Sequence, residues 1–408
     1  MFDSLLFILA IATAVPSAVF LVECLAAMLP RRSREGGCRS ATFAVVMPAH
    51  NEEGGIGETI RGLRDHLEPS VRLLVVADNC TDRTADVART SGAEVVERTD
   101  PARRGKGYAM DFGVRHLAAD PPRVVVFMDA DTVVRRGSLS TLAAVAADAK
   151  RPAQAVYLMD PPASATAVDQ ASALAFTVKN LVRPRGMASL GLPCHLTGTG
   201  MAWPWEAMGR VDLATGAIVE DMQLGIDATI SGFGPLLVED VVVGGQLPQG
   251  QRTAMTQRTR WEHGHLSVLL RQGPRLAFES IRQRRPALFG LGLDLCVPPL
   301  ALLVLLLATV AVATGAWAVR GGSATPLIVA VSSIGSVALG VLIAWRRFAR
   351  HIPAWALLAA PWYVLWKVPI YFKFLVSPEK RWVRTERNPQ PISPEVPDSH
   401  AGHKLQEP

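Results

Sequence analysis

Long apolar stretches flank a region in which short hydrophobic runs alternate with helical patterns. Residues 4–29 form the first stretch and are long enough to cross a bilayer, which takes about 20 apolar residues. Three more follow late in the chain, at roughly 288–319, 325–345 and 353–376. Between about 41 and 275 the pattern changes. Phe43–Met47 and Val71–Val76 read as buried strands, followed by helices over Asn51–Leu67 and Thr81–Thr90. A short strand at Glu94–Glu97, a strong one at Val124–Met128 and an Ala-rich helix over Leu139–Asp148 continue the alternation. Strand–helix alternation predicts a mostly parallel sheet covered by helices. The second half is less regular. Ala155–Leu158, Thr197–Ala202 and Pro235–Val238 read as strands, and Ala167–Val182, Glu220–Ile230 and 251–272 as helices. There is no internal repeat.

Composition supports a membrane protein. Of 408 residues, 49% are hydrophobic and 19% charged. The first stretch lacks the basic start of a signal peptide: the chain begins Met1-Phe2-Asp3, and Arg31, Arg32 and Arg34 come after the run. Basic residues favour the cytoplasmic side, so this reads as an uncleaved span with its N-terminus outside. Arg282, Arg284 and Arg285, and then Arg346, Arg347 and Arg350, put the flanks of the next two spans inside as well. The stretch at 353–376 carries Lys367 and Pro369, and Lys380, Arg381, Arg384 and Arg387 follow it. It reads either as a span that breaks the charge rule or as an interfacial segment. Four units result: an N-terminal transmembrane helix (1–30), a cytoplasmic catalytic domain (31–275), a C-terminal membrane region of two or three transmembrane helices (276–376), and a basic, then disordered tail (377–408). The net charge of +6 follows from this topology. No basic patch interleaved with aromatics points to nucleic acid. The five cysteines form no CxxC pair, which argues against zinc and a disulfide framework.

The chemistry concentrates where strands end or helices begin, where α/β folds place ligand-binding groups. Asp129-Ala130-Asp131 follows the Val124–Met128 strand. If the chain stays extended there, both carboxylates share one side and can hold Mg2+ or Mn2+ while leaving positions for diphosphate oxygens. The competing reading is a solvated turn. Asp78 ends another strand and is read as ligand-facing, with Asp82 as the cap of the next helix. After the first strand, Asn51 or a neighbour is a candidate cap. Lys106, between Gly105 and Gly107, can meet a diphosphate or base, although the full P-loop spacing is missing. Glu220-Asp221 opens a helix; the helix dipole alone favours acids there, and the functional reading makes Asp221 a general base. Gln257, Arg260 and Trp261 share one helix face, where Trp can stack on a sugar and Arg can bind phosphate. His263 and His265, two apart, diverge and are read as non-ligands.

The segments VVMPAHNEE, VVADNCTDRTA, GKGYAM, VVFMDADT, IVEDMQLG and QRTRW occur in that order. Together they resemble the family 2 inverting glycosyltransferases, most closely the membrane-embedded branch of cellulose, hyaluronan and chitooligosaccharide synthases. The resemblance covers roughly residues 41–275. It implies an α/β GT-A domain (a Rossmann-like, nucleotide-diphospho-sugar transferase fold) with flanking transmembrane helices in the cell (inner or plasma) membrane. It further implies that Asp78 contacts the uridine of a UDP-sugar, with Glu52 and Lys106 as further nucleotide contacts. Asp129 and Asp131 would engage the diphosphate through Mg2+ or Mn2+. Asp221, with Glu220 beside it, would be the catalytic base, and Gln257, Arg260 and Trp261 would meet acceptor and diphosphate.

The sequence departs from that branch in three ways: one span before the catalytic region, a short C-terminal membrane part and no recognisable regulatory domain. Processive polysaccharide synthesis is the leading expectation. Transfer of one sugar to a lipid, as in the similar ceramide glucosyltransferases, is the alternative. A non-enzymatic transporter or scaffold is a remote third.

Overall fold

The computed structural model describes residues 2–30, 41–162, 164–217, 219–247 and 251–378. The basic linker at 31–40 and the tail from 379 onward, including Lys380, Arg381, Arg384 and Arg387, lie outside the described residues. The chain opens with helix α1 (Phe2–Ala26). Then come β1 (Phe43–Ala49), α2 (Ile56–Arg64), β2 (Arg72–Asp78), α3 (Thr84–Thr90), β3 (Glu94–Arg98), α4 (Lys106–Leu117) and β4 (Val124–Phe127). The middle of the chain forms β5 (Val133–Arg136), α5 (Leu139–Ala149), β6 (Ala153–Asp160) and α6 (Ala167–Thr177). A π-helical turn (Val178–Val182) leads into α7 (Arg183–Ser189), β7 (Met201–Pro204), α8 (Trp205–Met208), α9 (Glu220–Ile230) and β8 (Leu236–Gln246). The last elements are α10 (Gln251–Gln283), α11 (Pro286–Cys296), α12 (Leu300–Val319), α13 (Thr325–Phe348), α14 (Trp355–Leu358) and α15 (Ala360–Val376).

The eight strands form one mixed sheet in the order β3-β2-β1-β4-β7-β6-β8-β5. The first four run parallel to one another, and β7 joins them antiparallel to β4. Both faces are covered. Val45 and Met47 of β1 pack with Ile60 of α2, while Ala44 and Val46 pack with Met110 of α4 and Trp203 of β7. That is why β1, β2 and β4 read as continuous apolar runs rather than alternating ones. Each such fully buried aliphatic side chain contributes about 1.5–3 kcal/mol.

Several boundaries differ from expectation. The helix expected over 51–67 begins only at Ile56, because Asn51 takes a left-handed conformation (φ 55°) and spends its side chain elsewhere. Its Oδ1 accepts from Thr81 N at 2.7 Å, tying the loop after β1 to the loop after β2 instead of capping α2. Asp82, expected as the cap of the next helix, lies one residue before the N-cap of α3, which is Arg83, and accepts from Thr84 N (3.0 Å). The strand expected at 197–202 starts at Met201, and residues 197–200 are loop. The helix expected through Val182 passes into the π-helical turn after Thr177. Strand β5 has no counterpart in the expected elements, and β8 and α10 run well past their expected ends.

Among the described residues three helices are long and apolar enough to cross a membrane: α1, α12 and α13. The apolar stretch at 288–319 is not one helix. Val297 is extended ahead of Pro298-Pro299, which separates α11 from α12. Proline lacks the N–H a continuing helix needs and biases the preceding residue away from helical geometry. The stretch at 353–376 becomes α14 and the 17-residue α15. Trp362, Leu365, Phe372 and Leu375 are exposed on α15, while Tyr363, Lys367, Ile370 and Tyr371 are buried. The buried side explains the lysine inside an apolar run. Lys367 forms an ion pair with Glu262 of α10, and Tyr371 Oη donates to the other carboxylate oxygen at 3.0 Å.

Breaking this pair from one side leaves a buried charge uncompensated, which typically costs about 3–5 kcal/mol. Lys367→Met is therefore expected to lower the thermal unfolding midpoint in detergent sharply. The double variant Glu262→Gln/Lys367→Met should recover at least about half of that loss, since an apolar replacement of both partners is often near neutral. Equal midpoints for the single and double variants would show that the pair does not hold α15.

Candidate active site

The parallel strands β1, β2 and β4 end on one edge of the sheet, and the segments that follow them line a single cavity of roughly 520 Å³. That volume lies within the range of pockets that take small ligands and cofactors, about 300–1,000 Å³. Glu52, Asp78, Lys106, Asp129, Asp131, Glu220, Asp221, Gln257, Arg260 and Trp261 all line it. Every candidate from the sequence is therefore brought to one place.

Asp78 is buried at the end of β2, opposite Arg98 in the parallel register with β3. Arg98 Nη1 (2.6 Å) and Asn79 Nδ2 (3.0 Å) both donate to Asp78 Oδ1. Neither bond uses Oδ2. His50 Nδ1 lies 2.7 Å from the Asp78 carbonyl and fixes the loop after β1 against this strand end. Glu52 N donates to Thr84 Oγ1 (2.7 Å), so this loop also rests on the start of α3.

Asp129-Ala130-Asp131 is a turn rather than the expected extension of β4, closed by Thr132 N donating to Asp129 O (3.1 Å). The two carboxylates reach the same cavity because the turn folds, not because strand residues alternate. Asp129 N donates to Thr199 Oγ1 at 3.0 Å. Buried Gln154 of β6 holds that loop in place: Thr197 N donates to its Oε1 (2.9 Å), and its Nε2 donates to Thr199 O (2.9 Å).

The loop carries Gly198, at φ +89°, a conformation that side chains with a Cβ rarely adopt. A Cβ there would lie 3.3 Å from both Asp221 Oδ2 and Lys106 Nζ. Lys106, at the first turn of α4, donates to Gly198 O (2.7 Å) and pairs with Asp129. Burial alone would pull the ammonium's pKa down; Asp129, Glu220 and Asp221 outweigh it and the net shift is upward. Glu220 and Asp221 open α9. Burial pushes Glu220 up to about 7, with Lys106 opposing and Asp221 adding to the rise. Burial likewise raises Asp221, against the pull of Lys106 and Lys179.

Helix α10 supplies the remaining wall. Gly264 lets it approach the segment before α9 closely, since a Cβ there would fall 2.6 Å from Val219 Cγ1. Gln257, Arg260 and Trp261 face the cavity as the helical spacing predicts, and the Trp261 ring stands 5.6 Å from Phe176. His263 and His265 diverge: His263 Nε2 is 2.9 Å from Ile370 O, whereas His265 lines the cavity. Among the described residues no three His, Cys, Asp or Glu side chains converge to hold a metal. The carboxylates of Asp129 and Asp131 still suit a hard divalent cation that fills its remaining positions with substrate oxygens and water.

Lys179, Asn180, Arg183, His195 and Asp294 also line the cavity and were not among the sequence candidates. Arg183 joins Glu23 of α1 (2.6 Å) to Asp294 of α11 (2.7 Å), and His195 Nε2 is 2.7 Å from Asp294. Lys179 keeps accessible area and lines the cavity. The protein packed around it lowers its pKa, with Arg183 and Lys367 adding to the effect and Asp221 and Glu262 opposing it. The available signal was the polar pair Lys179-Asn180 inside an otherwise apolar helical run.

A pH dependence follows from Glu220. Its folded pKa lies above the ordinary value of 4.5, so the folded protein holds a proton that the unfolded chain has released between about 4.5 and 7. This stabilising contribution is fully present below pH 4.5 and is lost as pH rises through about 7. Glu220→Gln should remove a slope on the order of 2 kcal/mol across that window, read from denaturant unfolding at pH 5 and pH 8. Parallel slopes in the two proteins would place the proton elsewhere.

Comparison with known proteins agrees with this architecture. A family profile described as "Glycosyltransferase like family 2" matches residues 40–264, more than half the chain. The chain is similar to the 4,4'-diaponeurosporenoate glycosyltransferase of Staphylococcus aureus (strain USA300), at 37% identity over 104 residues. That match takes in 24% of this chain and 27% of the relative, so it spans only about a quarter of the curated protein. Among solved structures, a mannosyltransferase from Pyrobaculum calidifontis in complex with GDP-mannose and Mn2+ aligns over 92% of this chain and 100% of its own. The TM-score is 0.53 at 19% identity, a likeness of fold. The mixed sheet with its cavity at the strand ends is a GT-A fold, and the chain belongs to glycosyltransferase family 2.

Proposed function

We propose that this protein is a membrane-bound inverting glycosyltransferase that moves a sugar from a UDP-sugar to an acceptor hydroxyl. The observation that carries the reading is Lys106. One buried ammonium pairs with Asp129 and lies against the Gly198 loop beside Asp221, joining the proposed diphosphate end of the cavity to its proposed base.

In this reading Asp78, with Oδ1 committed to Arg98, offers Oδ2 to the uridine, and Glu52 and Lys106 add nucleotide contacts. Asp129 and Asp131 would hold Mg2+ or Mn2+, which when bound supplies positive charge to the diphosphate. The acceptor oxygen attacks the anomeric carbon as the bond to UDP breaks, and Asp221 takes the acceptor's proton. Its raised pKa brings it nearer the working pH, which a general base requires. Glu220 stands beside it, its own carboxyl pushed up to about 7, chiefly by burial. Arg260 and Lys106 stabilise the negative charge that leaves with UDP. Gln257 and Trp261 orient the sugars.

The arginines flanking the spans favour a cytoplasmic catalytic domain over residues 31–275 between an N-terminal span and a C-terminal membrane region, in a multi-pass protein of the cell membrane. The leading expectation from sequence was processive polysaccharide synthesis. One structural observation favours the alternative, a single transfer to a lipid. Beyond Trp261 and Lys179 lies a second crevice, lined by Phe20 of α1, Val297, Pro299, Leu300 and Ala301 at the start of α12, and Tyr363 of α15. This apolar side, next to the charged residues of the same crevice, suits the amphiphilic end of a lipid better than a sugar polymer. The name of the S. aureus relative, a glycosyltransferase of 4,4'-diaponeurosporenoate, is compatible with a non-polymer acceptor.

Purified protein in detergent, incubated with a panel of labelled UDP- and GDP-sugars plus a lipid extract, should give one lipid-extractable product of a single added sugar. A ladder of lengths would restore the polymerase reading, and absence of turnover with every donor would sink the central claim. Asp221→Asn should reduce transfer by at least about a thousandfold, the scale on which loss of acid–base catalysis acts, while UDP still binds. Undiminished turnover in that variant would remove Asp221 from the mechanism.

A further inference from the structure

The second crevice holds more positive charge than its surroundings neutralise. It has a volume of roughly 90 Å³, and its charged lining is Lys179, Arg183, Arg258, Lys367 and Glu262. Arg183 is matched by Glu23 and Asp294, and Lys367 by Glu262. Two cations remain. Lys179 makes no ion pair among the described residues, and neither does Arg258.

Arg258 is the sharper case. It is only 4% exposed, its Nη2 donates to Ser172, and its guanidinium lies 5.1 Å from the Trp366 ring centroid. Its Nη1 is buried with no hydrogen-bond partner. A buried guanidinium nitrogen left unmatched is unfavourable unless something else completes it. Arg258 neighbours Trp261 on α10 but lines only the crevice, whereas Gln257 and Arg260 line the main cavity, so it plays no part in the donor site proposed above.

Lys179 occupies both spaces. It lines the main cavity and the crevice, as do Phe176, Arg183, Trp261 and His265, so the two are continuous. Its depressed basicity shows how poorly its charge is compensated there; an arriving anion would reverse that. The other wall comes from α1 and α12, two of the helices apolar enough to cross a membrane, and from α15, which leaves Trp362, Leu365, Phe372 and Leu375 exposed.

We propose that this crevice is an acceptor subsite for the anionic head of a membrane lipid, a phosphate or carboxylate held between the Lys179 ammonium and the Arg258 guanidinium. The crevice has room for the anionic group and little more: a hydroxyl on the same head, the nucleophile proposed above, reaches past Lys179 into the main cavity, and the apolar chain leaves along α12 and α15 into the bilayer. This deepens the lipid-acceptor reading above and rests on it, adding that the acceptor is charged and naming the residues that read the charge. Cations of this kind select a phosphate or carboxylate by charge-assisted hydrogen bonds.

The test is binding to the full chain in phosphatidylcholine nanodiscs, followed by tryptophan fluorescence, with dodecyl phosphate, dodecanoate, dodecanol and inorganic phosphate as probes. At least one of the two anionic amphiphiles should bind about tenfold or more tightly than dodecanol, and dodecyl phosphate about tenfold or more tightly than inorganic phosphate. The better of the two identifies the head. Arg258→Met should erase most of the preference for the anion and leave dodecanol unchanged. Lys179→Met, at a position with accessible area, makes the same test without a buried substitution. Dodecanol binding as tightly as both anions, or an anion preference that survives both substitutions, would overturn the proposal. Inorganic phosphate binding as tightly as dodecyl phosphate would make this a site for a free anion and would overturn it as well. UDP binding measured on the same samples keeps the two readings apart. A parent protein that binds the anionic lipid but no nucleotide contradicts the donor assignment alone, and Arg258→Met that still binds UDP shows an intact donor half.

Discussion

One buried ammonium organises the site. Lys106 sits among Asp129, Glu220 and Asp221, largely enclosed by protein, and like charges so close cannot all ionise without a cation between them. The contacts of Lys106 reach four separate pieces of the fold: its own helix α4, the turn after β4, the loop at 197–200 and the start of α9. The loop's glycine is favoured by its φ of +89°, and a Cβ there would also crowd Lys106 Nζ and Asp221 Oδ2 at 3.3 Å. The same balance has a chemical consequence. In the proposed reading a diphosphate entering this cavity would bring more negative charge than Lys106 alone offsets. A divalent cation on Asp129 and Asp131, and Arg260 from α10, would then complete the count.

Much of this was legible in the sequence, for a reason tied to topology. Parallel strands deliver their C-terminal residues to one edge, so the apolar runs before Asp78 and Asp129 were enough to bring both to one cavity there. Helical periodicity did the same for Gln257, Arg260 and Trp261. What escaped were features set by tertiary contact. The turn at 129–131 could not be told from an extended strand end, because the apolar run before it fits either reading. The segment 197–200 looked like part of a strand, yet Gln154 claims its backbone groups. Strand β5 is a short edge of four residues, two of them arginines, and carries too little pattern to stand out. Lys179 and Arg183 lie in a helical stretch whose apolar neighbours suggested only a core, and the π-helical turn that carries Lys179 has no sequence signature in this chain.

Lys367 shows the opposite case. A lysine within an apolar stretch stands out as an anomaly in the sequence itself, and in the fold it resolves into a pair with Glu262. Glu262 sits directly after Trp261, so the residue that fastens α15 adjoins the aromatic that faces the cavity. Helix α15 therefore depends on the same turn of α10 that builds the active-site wall.

A parallel device operates on the other side. Arg183 is held by Glu23 from the first spanning helix and by Asp294 from α11, and His195 completes the chain of contacts at Asp294. Buried ion pairs of this kind contribute less to net stability than to uniqueness, since an apolar replacement of the whole set is often as stable. Their value here is positional. Simple hydrophobic packing would let α1 slide along its axis with little penalty, because one apolar residue contacts α7 and α13 much as the next does. A carboxylate that must meet a specific guanidinium cannot slide. Arg183 also lines both the main cavity and the crevice beside it, so the pairing that sets the depth of α1 also sets a wall of both spaces. The seat of α1 and the shape of the cavity are thus one constraint: a shift of α1 along its axis parts Glu23 from Arg183 and leaves a charged group unmatched inside the cavity, and in the membrane-bound reading proposed above that penalty keeps the cavity in register with the bilayer.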